Sequence, residues 1–111
     1  MRDHGSTAVV AVIQGSTLTV AHCGDSRAVL VRQGGSERLT QDHKPVRADE
    51  KARIEKLPGG SVRNGRVNGI LGVSRAFGNS SLKQWATSEP EVTQVQLRNG
   101  GCVSLLMLVT K

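Results

Sequence analysis

VAHCGDSRAVL, residues 20–30, is the stretch on which the reading of this 111-residue chain turns. An apolar run enters a Gly-Asp-Ser-Arg corner, and a second apolar run from Ala28 to Val31 leaves it. The pattern predicts strand, tight corner, strand, with Gly24 where the backbone must bend. The corner sets a carboxylate, Asp25, and a guanidinium, Arg27, at the ends of two buried strands. An acid on a loop held by a rigid sheet is a common ligand for a hard metal ion. The plainer reading of the corner alone is a salt-bridged turn.

Upstream, STAVVAVI (6–13) is β-branched and almost continuously apolar, which predicts a strand buried on both faces. Gln14-Gly15-Ser16 then turns the chain into a returning strand over 17–22. Downstream of the corner the pattern predicts a third strand at 28–32, a turn over 33–36 and a short fourth strand at 37–40. Strands at this spacing, separated by glycine turns, argue for an antiparallel sheet.

Gln41-Asp42-His43-Lys44-Pro45 is a polar corner, with Pro45 barring helix at Lys44. Asp42 and His43 are candidate ligands, but adjacent residues rarely converge on one ion. Asp42 is expected to cap local backbone N–H groups. Residues 48–57 read as a helix, with Asp49 and Glu50 in its first turn, Ile54 and Leu57 as a narrow apolar contact, and Pro58-Gly59-Gly60 as its stop. Asn64-Gly65 marks a turn between Arg63 and Arg66. The glycines nearby do not form a phosphate-loop pattern. Residues 70–77 are apolar around Ser74-Arg75, and 92–97 alternate as a strand with one slip. After a turn over 98–101, residues 102–110 read as the most buried strand.

Composition narrows the function classes. With 15 basic and 9 acidic residues the net charge is +6, yet the basic residues are scattered singly and aromatics make up only 2%. A nucleic-acid binder would need clustered Lys/Arg and stacking rings, so a small basic nucleic-acid-binding domain is a remote alternative. A core with only one Trp and one Phe to draw on is thin, which suggests an incomplete domain. Cys23 and Cys102 each lie inside an apolar run, without a partner at metal-ligand spacing, and read as buried free thiols. No signal peptide or apolar stretch long enough to cross a bilayer is seen, so the expected location is intracellular, in cytoplasm or nucleus.

The order of motifs is more specific than any one of them. GSTAVVAVI, VAHCGDSRAVL, LTQDHKP, DEKARIEKLPGG, RVNGILGVSRAFGN, LK and SEPEV follow one another along the chain. The series resembles the metal-dependent protein serine/threonine phosphatases of the protein phosphatase 2C (PPM) family, over nearly the whole chain. The resemblance implies an α+β fold: a partial αββα sandwich, two antiparallel sheets face to face with flanking helix, incomplete at both ends. Within a single partial domain over 1–111 it implies a strand core at 5–44, a helix and flap-like segment at 45–83, and C-terminal strands at 84–111.

The same resemblance implies hydrolysis of phosphoserine and phosphothreonine in proteins, with Mg²⁺ or Mn²⁺ activating a water for in-line attack. Asp25 matches an acid associated with an additional, weakly held metal. Gly24, Ser26, Arg27, Ser74 and Arg75 match motif positions and are expected to be structural. Arg63 and Arg66 fall in the segment matching the substrate-proximal flap. Other motifs of the family have no counterpart: the phosphate-holding Arg, the Glu-Asp pair, Asp-Gly-His-Gly-Gly and the final Asp-Asn. Asp3-His4-Gly5 only looks similar, and Lys111 stands where an Asp-Gly acid is expected. Two divalent ions need several carboxylates to offset their charge. The chain is therefore expected to be inactive alone. The alternative is a non-catalytic pseudophosphatase that binds a phosphoprotein or partner. Uncovered sheet edges are further expected to promote self-association.

Overall fold

A computed structural model describes residues 4–32, 34–97 and the strand 103–108. Among the described residues, ten strands and one α-helix follow in chain order: β1 (Gly5–Ser6), β2 (Ala8–Gln14), β3 (Thr17–Cys23), β4 (Arg27–Arg32), β5 (Gly35–Arg38), α1 (Ala48–Lys56), β6 (Val62–Arg63), β7 (Arg66–Val67), β8 (Phe77–Gly78), β9 (Glu91–Gln96) and β10 (Val103–Leu108). β2, β3 and β9 form one antiparallel sheet; β10, β4 and β5 form a second. β1 pairs with β8, and β6 with β7 across the Asn64-Gly65 turn.

The two main sheets meet through Leu18 and Val20 of β3, Ala28 and Leu30 of β4, and Leu39, all buried. Val9, Ala11, Val95 and Leu97 pack around this cluster. Strand alternation explains the division: Leu18, Val20 and His22 share one face of β3 and are buried, while Thr17, Thr19 and Ala21 lie on the other. β9 alternates in the same way, and the slip in its pattern is Val92, which points outward at 58% exposure while Glu91 and Thr93 turn inward.

Several local expectations are corrected. The strand at 6–13 is not buried on both faces. β2 is an edge strand with Val10, Val12 and Ile13 exposed, because the described residues place nothing over its outer side. β3 and β4 do not pair: the chain bends at Gly24 and passes from one sheet to the other. The fourth strand begins at Gly35 instead of residue 37, since Arg32 and Gly35 already face each other across a tight connection. Asp42 caps no local backbone N–H; its carboxylate accepts from Arg27 and Arg38 instead. Lys111 and Cys102 lie outside the described residues, as do the side chains of β10. No helix among the described residues is long and apolar enough to cross a membrane.

Candidate functional site

The Gly-Asp-Ser-Arg corner is fixed by a double tie to the Asp-His-Lys-Pro loop. The backbone N–H of His43 donates to the Gly24 carbonyl at 2.9 Å, and the Gly24 N–H donates to Nδ1 of His43 at 2.9 Å. Gly24 sits at φ +112°, and a Cβ there would come within 2.3 Å of Thr7 Cγ2 and 3.0 Å of the Arg75 carbonyl. Only glycine takes both the conformation and the approach. The Ser74 N–H in turn donates to the His43 carbonyl at 2.9 Å, so three motifs far apart in sequence meet at one junction.

That bond assigns the His43 tautomer. Nδ1 accepts, so the ring proton is on Nε2, which donates to Glu91 Oε1 at 3.0 Å. Burial holds the His43 imidazole at a pKa of about 4, below the usual 6.5, against the opposing pull of Glu91. His22 stacks on His43 with centroids 4.3 Å apart and planes 3° from parallel, and its Nε2 bonds to the Gln41 carbonyl. His22, His43 and Glu91 are the one trio of ligand-type side chains that gathers within 4.8 Å among the described residues. The trio does not suit a metal ion. Parallel stacked rings hold their lone pairs in two separate parallel planes, which share no common point for an ion. Both nitrogens of His43 are also already engaged.

Asp25 and Lys44, the residues immediately after the tied pair, project together. Lys44 Nζ stands 2.6 Å from Asp25 Oδ2, the Asp25 side chain being 6% exposed and that of Lys44 44%. Both line a cavity of about 470 Å³, with Arg66, Ser6, Thr7 and Asn79 among the other lining residues. Of the two arginines expected at the flap, Arg66 reaches this cavity, while Arg63 turns back to the Asn68 carbonyl. Among the described lining residues Asp25 is the single carboxylate, facing two cationic side chains. That donor set does not fit a pair of divalent ions. It offers one oxygen ligand to one hard ion, which water would have to complete.

The remaining motif residues do not line this cavity and bond to other elements. Ser26 is buried, its Oγ 2.6 Å from Thr7 Oγ1. Arg27 forks onto Asp42 through Nε and Nη2. Ser74 and Arg75 converge on Glu50 of α1: Ser74 Oγ donates at 2.7 Å, and Arg75 donates through Nε at 2.8 Å and Nη2 at 3.0 Å. Burial pushes the Glu50 carboxyl up, but these bonds and the charges of Arg75 and Arg53 outweigh it and hold the pKa at about 2. In the sequence Glu50 reads only as a first-turn acid. Its spacing of four from Ile54, the buried apolar residue of α1, is the signal that it faces inward. His43 and Glu91 were missed as a linked pair because they meet only across the sheet junction.

Comparison with known proteins agrees with this arrangement. The family model described as "Protein phosphatase 2C" matches residues 1–110. "Probable protein phosphatase 2C 68" of Oryza sativa subsp. japonica is 52% identical over 94 residues, covering 82% of this chain and 26% of that protein. "Probable protein phosphatase 2C 55" of the same species is 45% identical over 111 residues, covering 98% of this chain and 29% of that protein. Among solved structures, one titled as a C. elegans sex determining protein superposes with a TM-score of 0.81 at 33% identity, covering 91% of this chain and 26% of that one. A Toxoplasma gondii serine-threonine phosphatase 2C superposes with a TM-score of 0.71 at 32% identity, covering 87% and 39%. The chain thus spans between a fifth and a third of the length of the curated relatives it matches. It belongs to the protein phosphatase 2C family.

Proposed function

We propose that this chain forms part of the catalytic domain of a metal-dependent phosphatase acting on phosphoserine and phosphothreonine in proteins. The observation that carries the reading is the buried Asp25 carboxylate opening into a cavity lined by Lys44 and Arg66. Bound Mg²⁺ or Mn²⁺ would supply the Lewis acid and the activated water of phosphoester hydrolysis. Asp25 would contribute one oxygen ligand to such an ion. Lys44 and Arg66 place positive charge where a phosphoryl group would enter. With one carboxylate among the described lining residues, the chain alone is expected to turn over no phosphoester. Gly24, Ser26, Arg27, Ser74 and Arg75 act by holding the loops that present Asp25 and Arg66. The free buried thiol of Cys23 is in keeping with an intracellular location in cytoplasm or nucleus, although one relative's name places that protein in mitochondria.

The test is a chimera in which residues 1–110 replace the matching segment of the 52%-identical rice relative. Mn²⁺-dependent hydrolysis of a phosphoserine peptide is expected from the chimera and not from the 111-residue chain. A folded but inert chimera refutes the reading. If that chimera still binds the phosphopeptide, the second reading, a pseudophosphatase, is favoured instead; a cavity whose described lining has one acid and two cations suits anion binding.

A further inference from the structure

We propose that Asn64 is a self-modifying site: the Gly65 backbone nitrogen attacks its side-chain amide, and the β6–β7 hairpin acquires a carboxylate as the protein ages. Asn-Gly occurs at 64–65, 68–69 and 99–100, the last outside the described residues. Glycine after asparagine puts no side chain in the way of that attack. Asn64 and Gly65 form the two-residue turn of the hairpin at φ +54° and +72°, and the four residues from Arg63 to Arg66 are all exposed. A Cβ on Gly65 would find its nearest neighbour, Val46 Cγ1, 3.9 Å away, so the turn has room on that side. Two residue pairs, Val62–Val67 and Arg63–Arg66, close the hairpin, so its tip opens at small cost.

Asn68-Gly69 is the same dipeptide in the same left-handed conformation, at φ +50° and +74°, but it is held shut. Asn68 Oδ1 accepts from the Ser61 N–H at 2.8 Å and from the Ser61 hydroxyl at 3.2 Å. The Gly69 N–H donates to the Arg66 carbonyl at 3.2 Å, and the Arg63 guanidinium lies beside Gly69 while donating to the Asn68 carbonyl. Both reacting groups at 68–69 must therefore break bonds before they can meet. At Asn64 the Gly65 nitrogen gives its proton to solvent base and bonds to Cγ; the Cγ–Nδ2 bond breaks, and ammonia leaves with a proton from water. Water then opens the succinimide ring at either carbonyl, giving aspartate or isoaspartate. Either product sets a carboxylate between Arg63 and Arg66. Isoaspartate also adds a carbon to the main chain where the Arg63–Arg66 pairing needs a two-residue turn. The change falls on the hairpin that carries Arg66 to the cavity, and it takes place whether or not the domain is a phosphatase.

The test ages the 111-residue chain at mildly alkaline pH, folded by circular dichroism, beside the same chain unfolded in urea. Cleavage at lysine releases residues 57–83 as one peptide that carries both asparagines, so each is the control for the other. Mass spectrometry with fragmentation then locates the lost amide and separates aspartate from isoaspartate. In the folded chain Asn64 is expected to react before Asn68. The Asn64-to-Asn68 rate ratio should exceed its value in urea by about tenfold, since more than one hydrogen bond must break at 68–69, and isoaspartate should be among the products at position 64. The same digest of the chimera, which carries the identical peptide, repeats the comparison within a full-length protein; its phosphatase activity does not enter the readout. Equal ratios in the folded and unfolded chains overturn the proposal, as does Asn68 reacting first. Asn64 that reacts in urea but not in the folded chain overturns it too, and aspartate without isoaspartate at position 64 rules out the ring closure on which it rests.

Discussion

Glu50→Gln isolates a charge from its shape. The side chain keeps its size inside a pocket where it is 2% exposed, but loses the anion that receives Ser74 and the two-pronged Arg75. The pKa gives the magnitude. Its carboxyl ionises at about 2 in the folded chain against an ordinary 4.5. That depression contributes stability above pH 4.5 and is lost as pH falls through the folded value, and at about 1.4 kcal/mol per tenfold it amounts to about 3 kcal/mol at pH 7. The variant should therefore unfold in urea with a free energy lower by about 3 kcal/mol at neutral pH. The cost includes the Arg75 guanidinium, 16% exposed, left beside a neutral amide. As the medium is acidified the wild type loses the same advantage, and the difference should shrink to about 1 kcal/mol near pH 3. Urea melts of both proteins at pH 7, 4 and 3 provide the assay. A cost under about 1 kcal/mol at pH 7, or one that does not change with pH, would refute the assignment of Glu50 as a buried anion that holds α1.

Two further outcomes follow from the corner. His43 is neutral when folded and ionises at about 4 against an ordinary 6.5, so the unfolded chain takes up its proton first. Stability should fall as pH drops from 6.5 towards 4, by up to about 3 kcal/mol, and folded His43→Gln should lack that part of the slope; an unchanged slope in the variant contradicts the tautomer given above. Gly24→Ala should lose about 2–4 kcal/mol in the same urea assay, because the added methyl meets Thr7 and the Arg75 carbonyl at a positive φ. A change within about 0.5 kcal/mol would show that the corner is not built as described.

The elements that rest on local rules were readable from the residues. The alternation of β9, the Asn64-Gly65 turn and the helix bounded by Pro58 all follow from neighbours in sequence. Features that depend on remote partners were not. Residues 6–13 look like a core strand because burial is inferred from apolarity, yet β2 is an edge and half of its apolar side chains face outward. Asp42 looks like a capping residue, but arginines of β4 and β5 compete for its carboxylate and win, charge-assisted bonds being stronger than a neutral N–H. Of the residues that line the cavity, Asp25 and Arg66 stand in stretches that the sequence already marks out. Lys44, which touches Asp25, is not marked out as its partner, because nineteen positions separate them and only the Gly24–His43 tie brings them together.

A helix that docks through greasy contacts can slip by part of a turn at little cost, since one methyl serves nearly as well as the next. The helix α1 has no such latitude. Beside the buried Ile54 and the bonds of Arg53 to the Trp85 and Ser74 carbonyls, a planar fork from Arg75 grips the Glu50 carboxylate, and a shift of even one ångström would break both prongs. Just past its end, Gly60 lies so close to the Ile54 carbonyl that a Cβ would stand 2.1 Å away, which hands the same positional tolerance to the β6–β7 hairpin. Arg66 thus takes its place at the cavity from two sides: the anchored helix fixes where the hairpin lies, and the Ile70 carbonyl of the following loop receives the guanidinium.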